Sequence, residues 1–570
     1  MVGWRQHAER LRSRSPRRTN SLGWGPELVE WMREYGRGKL PAAGVVRNAR
    51  TKCKAGTANA IVKQLSQGER GDSLQNAERV VRSIVPMDRL PPQTAIADST
   101  IDAIVDPYTM FHWLRKTNPL KFATGMGARG DLVDFWAALK SRPIVGERHW
   151  ASHPWLRGRT PESLRRHIPI IVFDDAGPCS KTLSTYCRCF YAILGKGAEW
   201  DSRFLISSGF KTEGEDHSWH AIVKGFEKLS LPVTPDDEWG GIWLFFGADL
   251  DYAANELGLA HTSAAHMCAF CNANITDIPF NDASVGAMWK ATIRDEHQFA
   301  LALRERNGGL HPLSGYGLLT MYTYRLCMMH VFDHNGLSGH IIASSIHTWC
   351  TSNPSILPGA TIDVRLDHFN SEKKAFYSCK KVKNRMPPLH WCNVKQDGGF
   401  AELHGHFVKA ANTRGIVPLI KDLADRQATL YPTDENKHIA KITTALHNMY
   451  ELLYSTGPFL NVDQMKCLRW QCDQIGIHMQ WLAVDTARRG LRRWKCPPKF
   501  HYAIAHFAEQ AQLLNPVYCQ GYRSESMVGK TTCIYKSLLD GPRTGSIQTK
   551  ALQKYTLALL LDWAPENILE

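Results

Sequence analysis

Seven side chains in this sequence have the type and spacing to bind metal and do chemistry with it. Asp175 closes the apolar run "IPIIVFDD" and Asp249 closes "GGIWLFFGAD". Carboxylates brought together at the ends of buried strands repel one another unless a cation neutralises them, and hard oxygen ligands suit Mg²⁺ or Mn²⁺. A pair of such ions activates a water or a 3′-hydroxyl and stabilises the leaving oxygen of a phosphodiester. Asp174 and Asp251 are the register alternatives, since acids at strand ends are also ordinary turn residues. A third acid is expected late in the chain, where Glu525 opens an amphipathic stretch carrying Met527, Val528, Ile534 and Leu538. Glu372 and Glu402 compete for that role but lie inside a long helical region.

The other four are soft ligands: Cys268 and Cys271 in "MCAFC", His501 and His506 in "KFHYAIAHF". Two thiolates and two imidazoles make a complete structural zinc site. The two pairs mirror each other about the middle of the chain, Cys268 following Asp249 by 19 residues and Glu525 following His506 by 19. Zinc there would clamp the strand region to the segment that carries Glu525. Five-residue spacing does not fall on one face of an α-helix, so His501 is expected in the turn after Pro498 and His506 in the helix proper.

These residues need elements to hold them. "IPIIVFDD", "STYCRCFYAIL" and "RFLISSGF" are short apolar runs, rich in β-branched and aromatic residues and bounded by turn residues, and they read as three successive strands. "DHSWHAIVKGFEKLSL" has helical spacing, and "GGIWLFFGA" is a fourth, buried strand. Three strands, a helix and a strand open an RNase H-like α/β domain, in which the first and fourth strands are neighbours; that places Asp175 beside Asp249. The expected fold is therefore α/β, an RNase H-like core interrupted by a large mainly α-helical insertion. The divisions are a basic tail (1–25), a small basic helical region with a linker at 86–95 (26–95), the first part of the core (96–275, strands from 168), the insertion (276–495) and a closing segment (496–570).

The ordered set Asp175, Asp249, Cys268-x2-Cys271, Cys327-x2-His330, His501-x4-His506 and Glu525 resembles the catalytic domain of eukaryotic cut-and-paste DDE transposases, most closely the CACTA and Transib-type groups. "CMMH" at 327–330 looks like the Cys/Asp-x2-His motif of those groups, and "NPVYCQGYRSESMVGK" is similar to the CACTA stretch in which a Tyr precedes the catalytic Glu by three. The likeness spans about residues 165–540. It implies that Asp175, Asp249 and Glu525 bind catalytic Mg²⁺ or Mn²⁺, that Cys268, Cys271, His501 and His506 bind structural Zn²⁺, and that Cys327 and His330 lie beside the active centre. It also implies double-stranded DNA (element ends and target) as partner, a homo-oligomer and a nuclear location. The chain departs from the pattern where "GAD" leads to the second acid and Ser526 follows Glu525, so a catalytically inactive DNA-binding descendant is the alternative.

Composition agrees with a polyanion partner. Net charge is +15, and residues 1–90 carry 18 Lys+Arg against 8 Asp+Glu. Such an excess suits phosphate contacts and counterion release, or else solubilises a tail. Arg157, Arg159, Arg165 and Arg166 precede the first strand, and Arg488, Arg489, Arg492, Arg493 and Lys495 precede the histidines. With Trp155 and Trp494 interleaved, they are candidates for a DNA groove. The 15 irregularly spaced cysteines do not form a secreted disulfide framework. Apolar runs stop short of a membrane span, and the basic start without a hydrophobic segment argues against a secretory signal.

Overall fold

The computed structural model describes residues 24–57, 59–66, 74–95, 103–211, 218–234, 238–303, 310–395, 398–405, 408–539 and 546–565. The basic tail lies outside them except for its last two residues. The fold is mixed α/β, built on one open seven-stranded sheet of order β1-β2-β5-β4-β3-β6-β7. The strands are β1 Gln93–Ala95, β2 Ala103–Val105, β3 His167–Pro178, β4 Ser184–Ala192, β5 Phe204–Phe210, β6 Gly240–Ala248 and β7 Tyr324–Leu326. β3, β4 and β5 form an antiparallel meander. β6 then pairs parallel to β3, and β7 parallel to β6. The crossover from β5 to β6 passes through the helix Ser218–Ser230, whose Trp219, Ile222, Val223, Phe226 and Leu229 are buried.

β3 and β6 are buried along nearly their whole length, as strands covered on both faces must be. Side-chain alternation then sorts neighbouring residues onto opposite faces. Asp174 faces the side of the helix Ser218–Ser230, where Arg188 of β4 pairs with it and also hydrogen-bonds Ser218 Oγ. Asp175 and Cys187 are paired across β3 and β4 and face the other side. There the helix Tyr522–Leu539 covers them, Thr531 reaching Cys187 Sγ at 3.4 Å.

The region 26–95 folds as four short helices, Pro26–Gly36, Ala42–Lys54, Ala60–Ser66 and Leu74–Ser83. They share an apolar cluster with Leu557, Leu560 and Leu561 of the helix Ile547–Trp563. The segment 86–95 is not only a linker, because Gln93–Ala95 adds an edge strand to the sheet. Long helices, Leu337–Thr351, Ile362–Cys379, Ala410–Leu430, Asp434–Ser455 and Val462–Arg488, fill the middle region expected from sequence to be a helical insertion. The sheet itself reaches into residues 276–495 through β7, whose three residues are too few to show any periodicity in sequence. Every cysteine is a free thiol. Among the described residues no helix is long and apolar enough to cross a membrane.

Candidate metal centres

Asp175 lies near the C-terminal end of β3, and Asp249 directly follows β6. The last paired residues of these parallel strands are Phe173 and Gly247, so both acids stand two residues further on at the same level of the sheet. Glu525 enters from the first turn of the helix Tyr522–Leu539. His330 comes from the π-helical turn Met329–Asp333 that follows β7. One ligand atom each of Asp175, His330 and Glu525 lie within 4.8 Å of one another. His330 Nε2 is 3.9 Å from Asp175 Oδ2 and 3.7 Å from Glu525 Oε2.

The electrostatics are those of a site short of positive charge. Burial, with Glu525 and Asp249 nearby, raises the Asp175 carboxyl well above its ordinary range. Burial also raises Asp249, against its hydrogen bond from Tyr252 N and the neighbouring Lys499 ammonium. Burial, with Lys499 and His334 nearby, lowers the His330 imidazole well below its ordinary range. Clustered buried acids whose charge the protein offsets only in part are a fit for a hard divalent cation. Asp249 remains outside the closest set, its carboxylate capping the helix Leu250–Asn255.

The alternatives named from sequence are engaged elsewhere. Asp174 is fully buried in its ion pair with Arg188, and Asp251 is mostly exposed. Glu372 pairs with Arg426, and Glu402 with Lys495. Cys327 does not join the ligand set: its sulfur accepts a hydrogen bond from Gly521 N at 3.1 Å, and burial pushes the thiol up to about 12. It ties β7 to the loop that leads into the Glu525 helix.

Two residues here escape sequence reading. Lys499 donates to the carbonyls of His334 and Asn335, at 3.2 and 3.1 Å, and pins the turn after His330. Asp333 is buried and accepts hydrogen bonds from Tyr450 and Tyr522. Its signal was available as the single acid inside the apolar run "CMMHVFD".

The soft ligands converge completely. Cys268, Cys271, His501 and His506 are all buried, with their ligand atoms within 4.8 Å of one another. Cys268 Sγ is 3.1 Å from His506 Nε2, and Cys271 Sγ is 3.2 Å from His501 Nε2. Tetrahedral zinc with ordinary bond lengths sets an S···N edge of about 3.5 Å, so small adjustments accommodate the ion. Supporting contacts are in place. His501 Nδ1 meets the Phe280 carbonyl at 3.0 Å, which aims Nε2 at the thiols, and the Phe270 and Ala273 amides donate to the two sulfurs. Hydrogen bonding with Cys268, and further with His501 and His506, pulls the Cys271 thiol down despite burial, while burial and the neighbouring Cys271 push Cys268 up.

The histidine spacing has a different basis from the one expected. Neither residue lies in a turn: Pro498–His501, Tyr502–His506 and Phe507–Ala511 form one continuous helix whose middle segment is π-helical. The i→i+5 repeat of a π segment brings residues five apart onto one side, which an α-helix does not.

The arginine clusters divide. Arg157, Arg165 and Arg166 are exposed, but they lie before the start of β3; Arg166 is nine residues from Asp175, a separation of ~30 Å along an extended strand. Arg159 is half-buried and donates to Ser230 O. In the second cluster Arg488 and Arg492 are exposed, whereas Arg489 and Arg493 pair with Glu435. Arg493 is 8% exposed and Trp494 only 1%, so neither presents a face to DNA. Trp155 is half-buried against Trp243. No model of a known protein family matches the chain, and none of the curated proteins compared with it is significantly similar.

Proposed function

We propose that this chain is a DDE-type DNA transposase or a protein derived from one, cutting phosphodiester bonds at element ends and joining the freed 3′-hydroxyl to target DNA. The observation that carries the reading is the meeting of Asp175, Glu525 and His330, which come from β3, a late helix and the turn after β7. The strand order β5-β4-β3-β6-β7, with an antiparallel meander followed by two parallel strands, supports an RNase H-like core.

Asp175, Asp249 and Glu525 would hold Mg²⁺ or Mn²⁺. Bound there, such ions supply activation of a water or 3′-hydroxyl and stabilisation of the leaving oxygen. Asp249 would join them with the carboxylate oxygen that does not accept from the Tyr252 amide. His330, neutral and facing two of the acids through Nε2, receives a hydrogen bond or proton from the attacking group. Cys268, Cys271, His501 and His506 would hold Zn²⁺ as a structural clasp. Exposed Arg488 and Arg492 offer phosphate contacts. The protein would work as an oligomer on double-stranded DNA in the nucleus.

The test is strand cleavage on DNA carrying matched terminal repeats with Mg²⁺ or Mn²⁺. Cutting by the native chain and none by Asp249→Asn supports the reading; equal cutting by both refutes the assigned site. The hydrogen bond that occupies Asp249 favours the second reading, a DNA-binding descendant without catalysis. That reading expects salt-sensitive binding and no metal-dependent cleavage.

A further inference from the structure

Two helical segments meet at the acid centre, and they touch at two levels. At the first level His330 faces Glu525, Nε2 to Oε2 at 3.7 Å. Three residues on in the first segment and three back in the second, Asp333 accepts a hydrogen bond from the Tyr522 hydroxyl. With both contacts made between the same two segments, the second fixes the relative height and rotation of the first.

Asp333 is 2% exposed. Its other carboxylate oxygen accepts from Tyr450, on the insertion helix Asp434–Ser455, and the Tyr450 hydroxyl also meets Ser338 Oγ at 2.9 Å. The insertion grips the same place again. The Arg414 guanidinium lies over the rings of Tyr522 and Tyr454, at 4.5 and 4.6 Å, and the Tyr454 hydroxyl donates to Gln520 Oε1 at 2.6 Å. A buried carboxylate shared by two tyrosines, with the Arg414 guanidinium as its nearby counter-charge, is a costly arrangement for packing alone.

We propose that Asp333 is a positioning residue for the acid centre: by holding Tyr522 against Tyr450 it sets Glu525 opposite His330 and Asp175, so the helical insertion tunes the affinity for divalent cations. This rests on the reading of Asp175, Asp249 and Glu525 as ligands. Neither Asp333 nor the tyrosines belong to the ligand set.

Mn²⁺ binding to the full-length, zinc-replete chain, followed by the electron paramagnetic resonance of free Mn²⁺, tests it without DNA or catalysis. Tyr522→Phe removes one hydroxyl and keeps the ring against Arg414; it is expected to weaken Mn²⁺ binding ~10-fold, as loss of an outer-shell partner does. Tyr450→Phe and Asp333→Asn should act in the same direction with zinc content unchanged. A packing defect would add its effect to that of any other mutation. A positioning role instead makes Tyr522→Phe nearly silent in a Glu525→Gln background. Native affinity in Tyr522→Phe, or losses that simply add in the double variant, would overturn the inference while leaving the acid centre standing. If the wild type shows no Mn²⁺ binding that Asp175→Asn abolishes, the metal-site reading and the inference fall together.

Discussion

The Cys/His clasp yields the sharpest prediction. Cys271 and His501 are 230 residues apart in sequence yet their ligand atoms are 3.2 Å apart. A metal joining them closes that loop in the unfolded chain, and the chain-entropy relation for a cross-link of this span gives about 5 kcal/mol at 25 °C. This is a ceiling for the loop term, since three remaining ligands retain part of the ion. Spread over the unfolding entropy of 570 residues, it corresponds to about 4 °C in Tm. The purified chain should therefore contain about one zinc per molecule. His501→Ala and Cys271→Ser should each lower zinc content and Tm, while Cys350→Ser, a buried thiol outside the cluster, should keep full zinc. Elemental analysis beside differential scanning calorimetry makes the comparison. Wild-type protein without zinc, or His501→Ala with native zinc and native Tm, would refute the assignment.

Asp175→Asn should abolish metal-dependent cleavage yet stabilise the metal-free acid centre, because it removes a buried like charge; the gain is on the order of 1–3 kcal/mol by denaturant titration. Stability should fall on the acid side of neutrality. Burial depresses His153 and His167 to about 4, and each ring nitrogen Nε2 meets a carbonyl, of Trp243 and Leu231 respectively. Their stabilising effect is present above the ordinary histidine value and is lost as pH drops toward 4, up to ~3 kcal/mol each; His153→Gln should flatten that limb of the pH–stability profile. Arg493→Ala should destabilise by about 1.5–3 kcal/mol, since it removes the buried one of the two arginines that bond Glu435 and leaves Arg489 in place. Arg488→Ala should leave stability alone and, if this surface meets DNA, reduce the salt slope of binding by about one. Gly36→Val should loosen the N-terminal helices by about 1–3 kcal/mol, because a Cβ there meets the Lys554 carbonyl oxygen at 2.8 Å.

The central strands and the helix after β5 were legible because they are continuous apolar runs with clear turn residues between them. Cys-x2-Cys was legible for the same local reason. Strands β1, β2 and β7 have three residues each; they exist only through the ladders they join, and no pattern within three residues announces that. The choice of Asp175 over Asp174 turned on which face of β3 each occupies, which depends on what covers the sheet. Arg493 and Trp494 looked like surface groups in a basic run, but Glu435 and Thr351, brought from distant helices, draw the arginine inward. The partnership of Asp333 with Tyr450 and Tyr522 spans 117 and 189 residues, and it emerges only when the insertion docks.

The long excursion between Cys271 and His501 also sets a clock on biosynthesis. At ordinary elongation rates its 230 residues occupy the ribosome for on the order of tens of seconds. Throughout that interval β3 and β6 have been made, but the partner histidines and Glu525 have not. A nascent chain therefore cannot assemble either ligand cluster until residues 501–525 have left the tunnel, and products terminated before them carry Asp175, Cys268 and Cys271 without the residues that meet them.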